Sequence, residues 1–171
     1  LPPPRLPGRA AGPGTAVSIA CSIPVSCCAI SLLLHPRATS RESDLQFLQE
    51  KVAAGAAAVI TQLFFDNDDY FRFVDDLRKL GVTVPIVPGV LPILSVSQIR
   101  RFTALCCAKI PAKLEKQLIR VEHDDAAAIE MGIDYASRQC EALIEYGVPG
   151  LHFYSLNKSY SVSAICKNLG L

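Results

Sequence analysis

From about residue 39 onward, apolar residues alternate between helical spacing and short continuous runs. Thr39 and Glu42 form a predicted capping box at the start of the first helix, and Gly55 ends that helix. Residues 57–64 are a continuous apolar run, which is typical of a strand covered on both faces. A second helix is predicted over residues 69–80. The apolar positions of the two helices are Leu45, Leu48, Val52, Tyr70, Phe73, Val74 and Leu77.

The second half of the chain continues this alternation. A strand is predicted at residues 84–87, and a loop over residues 88–94 leads to Ser95, which caps the next helix. The apolar positions of that helix are Ile99, Phe102 and Leu105. The elements that follow are a short helix opened by Pro111, a helix capped by Asp124 that reaches Tyr146 and stops at Gly147, a strand over residues 150–155 and a helix over residues 159–169.

Alternating strands and helices predict a parallel α/β fold with right-handed crossovers. Three strands are clear, and a remnant strand near residues 29–34 makes a fourth. A closed (β/α)₈ barrel needs about 250 residues, so barrel sequence of this length is only the second half of one. An open doubly wound sheet fits the length better, but it needs a phosphate-binding glycine loop, and the sequence contains neither a GxGxxG nor a Walker pattern.

Composition and charge narrow the class of protein. Half of the 171 residues are hydrophobic and 19% are charged, which is a globular composition with enough chain for one core. The formal net charge of +1, with scattered Lys and Arg, gives no reason to expect a nucleic-acid partner. The seven cysteines have no zinc-ligand spacing, and their number is typical of a reducing compartment. We therefore expect a cytoplasmic protein that binds no metal.

The first 34 residues differ from the rest, and we treat them as a separate segment. Residues 1–14 are rich in Pro, Gly and Arg, and residues 15–34 form a largely apolar run with three cysteines. A signal peptide and a membrane span are both compatible with this pattern. Pro24 and the serines of the run disfavour a span, so we expect no membrane association. We favour a third interpretation, in which a wrong start or a frameshift precedes the folded part at residues 35–171.

Polar side chains follow the predicted strands at their carboxyl ends. Gln62 ends the first clear strand, Gln98 follows the loop after the second, and Asn157 and Lys158 follow the last. Ligands bind at this edge in parallel α/β folds, and amides suit a flat heterocycle with donors and acceptors. Each residue also has a plain structural explanation. Gln98 can close a capping box with Ser95, Gln62 can satisfy a loop carbonyl, and Lys158 can be a solvated charge.

A second polar group comprises His35, Asp44 and Lys51. Asp44 and Lys51 are seven residues apart, so they share one helix face, where a carboxylate and a cation can hold the ribose and phosphates of a dinucleotide. An ordinary polar helix face with an Asp in its first turn explains the same pattern. The cluster at residues 66–69 lacks the glycine and distal Glu of a calcium loop and is better explained by a helix cap at Asp68 or Asp69.

Four sequence blocks together resemble the flavin-dependent methylenetetrahydrofolate reductases. The resemblance runs from about His35 to Leu171, and the blocks stand in family order and at family spacing. The blocks are D-L-x-x-L-x-E-K-V at residues 44–52 with A-G-A at residues 54–56, T-Q-L-F-F-D at residues 61–66, P-G-V-L-P at residues 88–92 and H-F-Y-S-L-N-K at residues 152–158.

The resemblance implies a (β/α)₈ barrel, of which this chain holds the second half, about strands 5–8. It implies an enzyme of one-carbon metabolism and methionine biosynthesis. In this family FAD takes a hydride from NADH or NADPH and reduces 5,10-methylenetetrahydrofolate to 5-methyltetrahydrofolate. The full-length proteins are expected to be homo-oligomers. By position, the flavin-contacting residues are His35, Ala38, Asp44 and Lys51. The folate-contacting residues are Gln62, Gln98, Phe102 and Lys158, with Phe102 packing on the aminobenzoyl ring.

The chain also departs from the family pattern. Residues 31–38 read S-L-L-L-H-P-R-A where the family has Y-P-E-x-H-P-E-A, so a flavin-contacting tyrosine is absent and Arg37 replaces a carboxylate. The catalytic glutamate of the family's first strand and the aspartate near its flavin ring have no counterpart here, so no catalytic residue is assigned. We therefore expect the isolated chain to be inactive, or to be a non-catalytic half barrel that binds folate or a partner subunit.

Overall fold

The structure is a computed structural model that describes residues 27–30 and 40–171. Within these residues, four parallel strands form one sheet whose strand order follows the chain, β1-β2-β3-β4. The strands are β1 (Cys27–Ile30), β2 (Ala58–Leu63), β3 (Ile86–Val90) and β4 (His152–Phe153). The predicted parallel α/β class is confirmed, and the arrangement is consistent with a partial TIM-type fold.

The described part of the chain contains six helices, of which five connect the strands and one follows β4. They are α1 (Arg41–Ala53), α2 (Asn67–Lys79), α3 (Val96–Cys106), α4 (Ala112–Arg120), α5 (Asp125–Tyr146) and α6 (Ser159–Asn168). The predicted caps at Ser95 and Asp124 are confirmed, because each side chain accepts a hydrogen bond from the third backbone N–H of its helix. Gly147 ends α5 in the left-handed conformation (φ 91°), as predicted.

Two predicted helix starts were wrong by one to three residues. The capping box of α1 pairs Ser40 with Ser43, whose hydroxyl groups each accept a backbone N–H bond of 3.2 Å from the other residue. Thr39 and Glu42 therefore do not form this box. Helix α2 is capped by Asp66, whose carboxylate accepts from the N–H of Asp68 at 3.0 Å. In each case a neighbouring polar residue has the extended backbone that a cap requires.

Two other predictions differ from the structure for tertiary reasons. Strand β3 extends through Pro88, Gly89 and Val90, which the sequence assigns to a loop. Leu105 is 66% exposed, although its spacing on α3 predicts an inward position. The described neighbours of α3 cover Ile99 and leave the end of that helix open to solvent.

The main core lies between the sheet and the helices that follow its strands. Val59, Ile86 and Val90 of the strands are almost fully buried in it, together with Tyr70 of α2 and Leu143 of α5. A second apolar cluster covers the carboxyl ends of the strands and is built from Leu63, Phe65, Leu91, Ile93, Val96, Ile99, Leu114 and Leu118. Side chains alternate across a strand, so Val87 and Gly89 lie on the sheet face opposite the main core.

Helices α1 and α2 are joined by an ion pair between Arg41 and Asp76, with a nitrogen–oxygen distance of 2.9 Å. The hydrogen bond from Arg41 keeps the pKa of Asp76 below its usual value. In residues 27–30 and 40–171, no helix combines the length and apolarity that a membrane crossing requires.

Candidate ligand site at the carboxyl ends of the strands

A β-bulge in β2 shapes the sheet where the sequence predicts a ligand. Ile60 pairs with Val87 and Leu63 pairs with Gly89, so two residues of β2 lie opposite the single residue Pro88. Proline has no N–H to donate, and a bulge removes the need for that ladder bond. Bulges commonly redirect a side chain beside a functional site, and Gln62 is one of the two residues within this bulge.

Gly89 is required by the close packing around the bulge. Its backbone N–H donates to the hydroxyl of Thr61 at 2.8 Å, in place of a backbone acceptor. A Cβ on Gly89 would lie 2.3 Å from the carbonyl oxygen of Thr61 and 2.6 Å from the Tyr154 ring. The glycine therefore allows Tyr154 to cross β3 and reach β2.

Tyr154 fixes the peptide bond that precedes Gln62. Its hydroxyl donates to the carbonyl oxygen of Thr61 at 2.9 Å, and its own N–H donates to Val90 at 2.9 Å. On the other side of Gln62, the N–H of Leu63 donates to the Gln62 side-chain oxygen at 3.1 Å. The oxygen of Gln62 thus accepts a backbone N–H, and its amide nitrogen has two hydrogens that it can donate to a ligand.

Gln98 and Phe102 lie on α3, the helix that follows β3. The Ser95 cap uses the backbone N–H of Gln98, at 3.2 Å, so the half-buried Gln98 side chain is not needed for that bond. Phe102 packs against the second apolar cluster, as Tyr154 does. Residues four apart on a helix share a face, so Gln98 is directed to the same side as Phe102.

Lys158 follows a strained turn after β4. Its N–H donates to the carbonyl of Ser155 at 2.8 Å, and both central residues of the turn, Leu156 (φ 50°) and Asn157 (φ 61°), are left-handed. This conformation is unfavourable for leucine, and such strain tends to be found at functional sites. Lys158 is exposed at the start of α6, four residues beyond Tyr154.

His152 of β4 and Tyr154, which follows that strand, both have pKa values shifted by burial. Burial raises the pKa of Tyr154 and lowers the pKa of His152, so both side chains are neutral near pH 7. The rings of His152 and Tyr154 meet edge to face with centroids 4.8 Å apart. The site therefore offers amide and phenol hydrogen-bonding groups, an aromatic ring and the cation of Lys158. Among the described residues, no group of three or more His, Cys, Asp or Glu side chains is placed to hold a metal ion.

The predicted flavin residues are only partly described. His35 and Ala38 lie outside the described residues. Asp44 lies in the first turn of α1 and is half-buried, whereas Lys51 lies in its last turn and is exposed. A separation of seven residues corresponds to about 10 Å along one helix face. A carboxylate and a cation at this spacing fit a ribose hydroxyl and a phosphate, so the two residues are chemically suited to a flavin dinucleotide.

Sequence reasoning missed the three residues that hold Gln62 in place. Thr61, Gly89 and Tyr154 all lie within the quoted sequence blocks, so the blocks were the available signal. Their contacts were not predictable, because Tyr154 and Thr61 are 93 residues apart in the chain. Of the predicted site residues, Phe102 packs against the second apolar cluster and Gln62 directly precedes Leu63 of that cluster. Gln98 lies one helical turn before Phe102, and Lys158 is exposed at the start of α6, so the shared site stays a prediction.

The fold and the candidate site together define a parallel α/β protein, consistent with a partial TIM-type fold, that carries polar groups at the carboxyl ends of its strands. Residues 23–170 match the family described as methylenetetrahydrofolate reductase. The chain belongs to this family, and the resemblance stated from the sequence is confirmed.

Similarity to individual proteins supports membership of the methylenetetrahydrofolate reductase family. The chain is 41% identical over 132 residues to methylenetetrahydrofolate reductase (NADH) 1 of Arabidopsis thaliana, which covers 77% of this chain and 22% of that protein. It is 36% identical over 138 residues to the 5,10-methylenetetrahydrofolate reductase of Escherichia coli K12, which covers 81% of this chain and 47% of that protein. The chain therefore spans less than half the length of either relative.

A solved structure supports the fold. An uncharacterized protein from Clostridium thermocellum, described as binding two copies of 5-methyl-5,6,7,8-tetrahydrofolic acid, superposes with a TM-score of 0.52 at 16% identity. The match covers 85% of this chain and 54% of that chain. At this identity the likeness concerns the fold alone.

Proposed function

We propose that this chain supplies the folate-binding part of an enzyme that reduces 5,10-methylenetetrahydrofolate with FAD and NADH or NADPH. The observation that carries the proposal is the construction around Gln62. A β-bulge, Gly89 and the Tyr154 hydroxyl all fix the backbone of one glutamine at the carboxyl end of β2. These three features hold the backbone on either side of a half-buried amide in one position. Such support from surrounding residues is typical of side chains that bind a ligand.

We further propose that the sheet is the second half of a (β/α)₈ barrel. The four described strands are parallel and follow one another in chain order. A barrel has this sequential order, whereas a doubly wound sheet reverses its order at a switch point. The face of Val87 and Gly89, opposite the main core, is then the inner wall of the barrel. Residues 35–171 are the predicted extent of this unit, and the proposed half barrel also includes β1 (Cys27–Ile30), which pairs with β2.

Each proposed folate contact follows from the chemistry of its side chain. The Gln62 and Gln98 amides hydrogen-bond the edge of the heterocycle, and Phe102 packs on the aminobenzoyl ring. Lys158 attracts the carboxylates of the folate. Tyr154 does not touch the folate in this proposal; it acts through the Thr61–Gln62 peptide as a positioning residue.

The proposed flavin contacts in the described part are Asp44 and Lys51. When bound, FAD supplies hydride transfer between the nicotinamide and the folate. Asp44 would accept hydrogen bonds from a ribose hydroxyl, and Lys51 would neutralise phosphate charge. His35 and Ala38 complete the proposed set. Assembly into a homo-oligomer and a cytoplasmic location remain predictions.

The test is the affinity of the purified chain for 5-methyltetrahydrofolate, measured by isothermal titration calorimetry. Replacing Gln62 by Leu leaves a polar ligand edge unpaired, which costs about 1–3 kcal/mol and weakens binding by roughly 5–150-fold. Gln117→Leu, a half-buried position on α4, is the matched control and leaves the affinity unchanged. Equal affinities for the wild type and Gln62→Leu, or no binding at all, would refute the folate proposal.

The flavin proposal has a separate measurement. Protein that carries FAD is yellow and oxidises NADH or NADPH with a quinone as acceptor. Colourless protein that binds 5-methyltetrahydrofolate would instead favour a folate-binding module without turnover.

A further inference from the structure

Two adjacent cysteines, Cys106 and Cys107, lie at the carboxyl end of α3 and are not among the folate and flavin contacts assigned above. Cys106 is the last residue of the helix, and Cys107 caps it with a left-handed backbone (φ 53°). Cys106 is half-buried and Cys107 is exposed, whereas Cys140 and Cys166 are buried. Of the cysteines whose side chains the structure describes, this pair is therefore the one open to a compound in solvent.

The surrounding structure holds the backbone of this pair and leaves one thiol free to turn. Cys106 packs against the second apolar cluster. The N–H of Cys107 donates to the carbonyl of Thr103, and the N–H of Ala108 donates to the same carbonyl at 3.0 Å. Leu105, which precedes the pair, is 66% exposed, so this end of α3 is open to solvent. The exposed Cys107 side chain can therefore change rotamer and bring its sulfur toward that of Cys106.

The separation of the two residues suits a bridging atom better than a direct disulfide. Cα atoms joined by a trans peptide are about 3.8 Å apart, and the described residues contain no cis peptide bond. A disulfide usually needs Cα atoms about 4.4–6.8 Å apart, so a direct bond between these sulfurs would be strained. One atom placed between the sulfurs lengthens the bridge and relieves this strain.

The number of ligands at this position decides which bridging atom fits. Thiol sulfur binds soft, thiophilic elements. Zinc sites use three or four protein ligands. In the part of the chain that the structure describes, no group of three or more His, Cys, Asp or Glu side chains could hold a metal ion. A trivalent arsenic atom that carries one organic group needs two further bonds, and two thiols supply them.

We propose that Cys106 and Cys107 form a dithiol site that binds a trivalent arsenical carrying one organic group. With a compound R–As=O, two As–S bonds form and the bond between arsenic and oxygen breaks. The two thiol protons leave with the oxygen as water, and arsenic stays trivalent, so the step needs neither an oxidant nor a reductant. Burial raises the pKa of Cys106, with a further contribution from the Cys107 thiol, so Cys106 enters this step as a neutral thiol near pH 7. This proposal does not depend on the folate site.

The experiment uses the full 171-residue chain, reduced beforehand, and phenylarsine oxide as the probe. Mass spectrometry of the intact protein should show that one phenylarsenic group is gained and two hydrogens are lost. The adduct should map to the tryptic peptide of residues 102–109, in which Cys106 and Cys107 are the only cysteines. An excess of the dithiol 2,3-dimercaptopropanol should remove the arsenic, whereas 2-mercaptoethanol at the same thiol concentration should leave it bound, because both As–S bonds must break together. No adduct, an adduct on other cysteines alone, or equal removal by the two reagents would overturn the proposal.

Variants test whether both thiols bind the arsenic. Cys107→Ser leaves one thiol, so the dissociation constant of phenylarsine oxide should rise by about 10²–10⁴-fold. Cys107→Gly should have the same effect, and glycine favours the left-handed backbone, so this variant keeps the fold even if serine disturbs it. The control replaces Cys27 and Cys28, another adjacent pair in the sequence, by serine and should leave the dissociation constant unchanged. Unchanged affinity in both Cys107 variants, or loss of binding in the control, would contradict a site at the end of α3.

Discussion

Replacement of Gly89 by Ala tests the packing that holds Gln62 in place. Gly89 does not have a positive φ, so alanine can adopt its backbone conformation. A strand interior gains about 0.5–1 kcal/mol from Gly→Ala when space is available. Here the new Cβ would lie 2.3 Å from the Thr61 carbonyl oxygen and 2.6 Å from the Tyr154 ring. The sign of the effect therefore depends on the packing alone.

The expected result is a clear loss of stability. Overpacking costs about 1–3 kcal/mol, and one of the two clashing atoms here belongs to the backbone, so we expect about 3 kcal/mol. For a chain of this size, that lowers the melting temperature by roughly 6–12 °C. Circular dichroism during urea and thermal unfolding measures both quantities. A variant as stable as the wild type, or more stable, would refute the packing around Gly89.

A matched control separates crowding from backbone strain. Gly147 has a φ of 91°, and a Cβ added there would have nothing within 4 Å, so Gly147→Ala measures strain without a clash. It should cost about 1–2 kcal/mol, less than Gly89→Ala. Only Gly89→Ala should also weaken binding of 5-methyltetrahydrofolate, because only Gly89 contacts the residues that position Gln62.

Three further predictions concern the turn after β4 and the buried ionisable groups. Leu156→Asn should raise the free energy of unfolding by about 1 kcal/mol, because Asn tolerates the left-handed conformation; a lower urea midpoint would contradict this. Burial raises the pKa of Tyr70, so its contribution to the free energy of unfolding should be constant below about pH 10 and fall above it, because the unfolded tyrosine ionises there and the folded one does not. Urea midpoints across about pH 8–11 measure this, and a rise with pH would be the wrong sign. Burial also raises the pKa of Cys140 to about 12, so iodoacetamide should alkylate it far more slowly than the exposed Cys107. Mass spectrometry of the modified peptides gives both rates, and equal rates would disagree with this burial.

Local chemistry determined how much of the fold was predictable. Ser95, Asp124 and Gly147 were identified because a helix cap depends on residues within one turn. The start of α1 was wrong by one residue because Thr39 and Ser40 are both good cap residues, and Ser40 forms the box with Ser43. Strand β3 was shortened because Pro88 and Gly89 disfavour a central strand, a rule that the bulge in β2 overrides.

The candidate ligand site shows the same difference between what local sequence predicts and what depends on contacts between distant residues. Gln62 and Lys158 were predicted as ligand contacts because the carboxyl ends of parallel strands are the usual place for ligands. The residues that position Gln62 were not, because the bond between Tyr154 and Thr61 joins distant parts of the chain.

The most direct test of a shared folate site is a titration of the ¹⁵N-labelled chain with 5-methyltetrahydrofolate, followed through the side-chain amides of glutamine. We expect the signals of Gln62 and Gln98 to shift together and saturate at the same folate concentration, while the signal of Gln117 stays in place. Shifts of Gln62 and Gln98 that saturate at different concentrations, or no shift of either, would contradict a shared site.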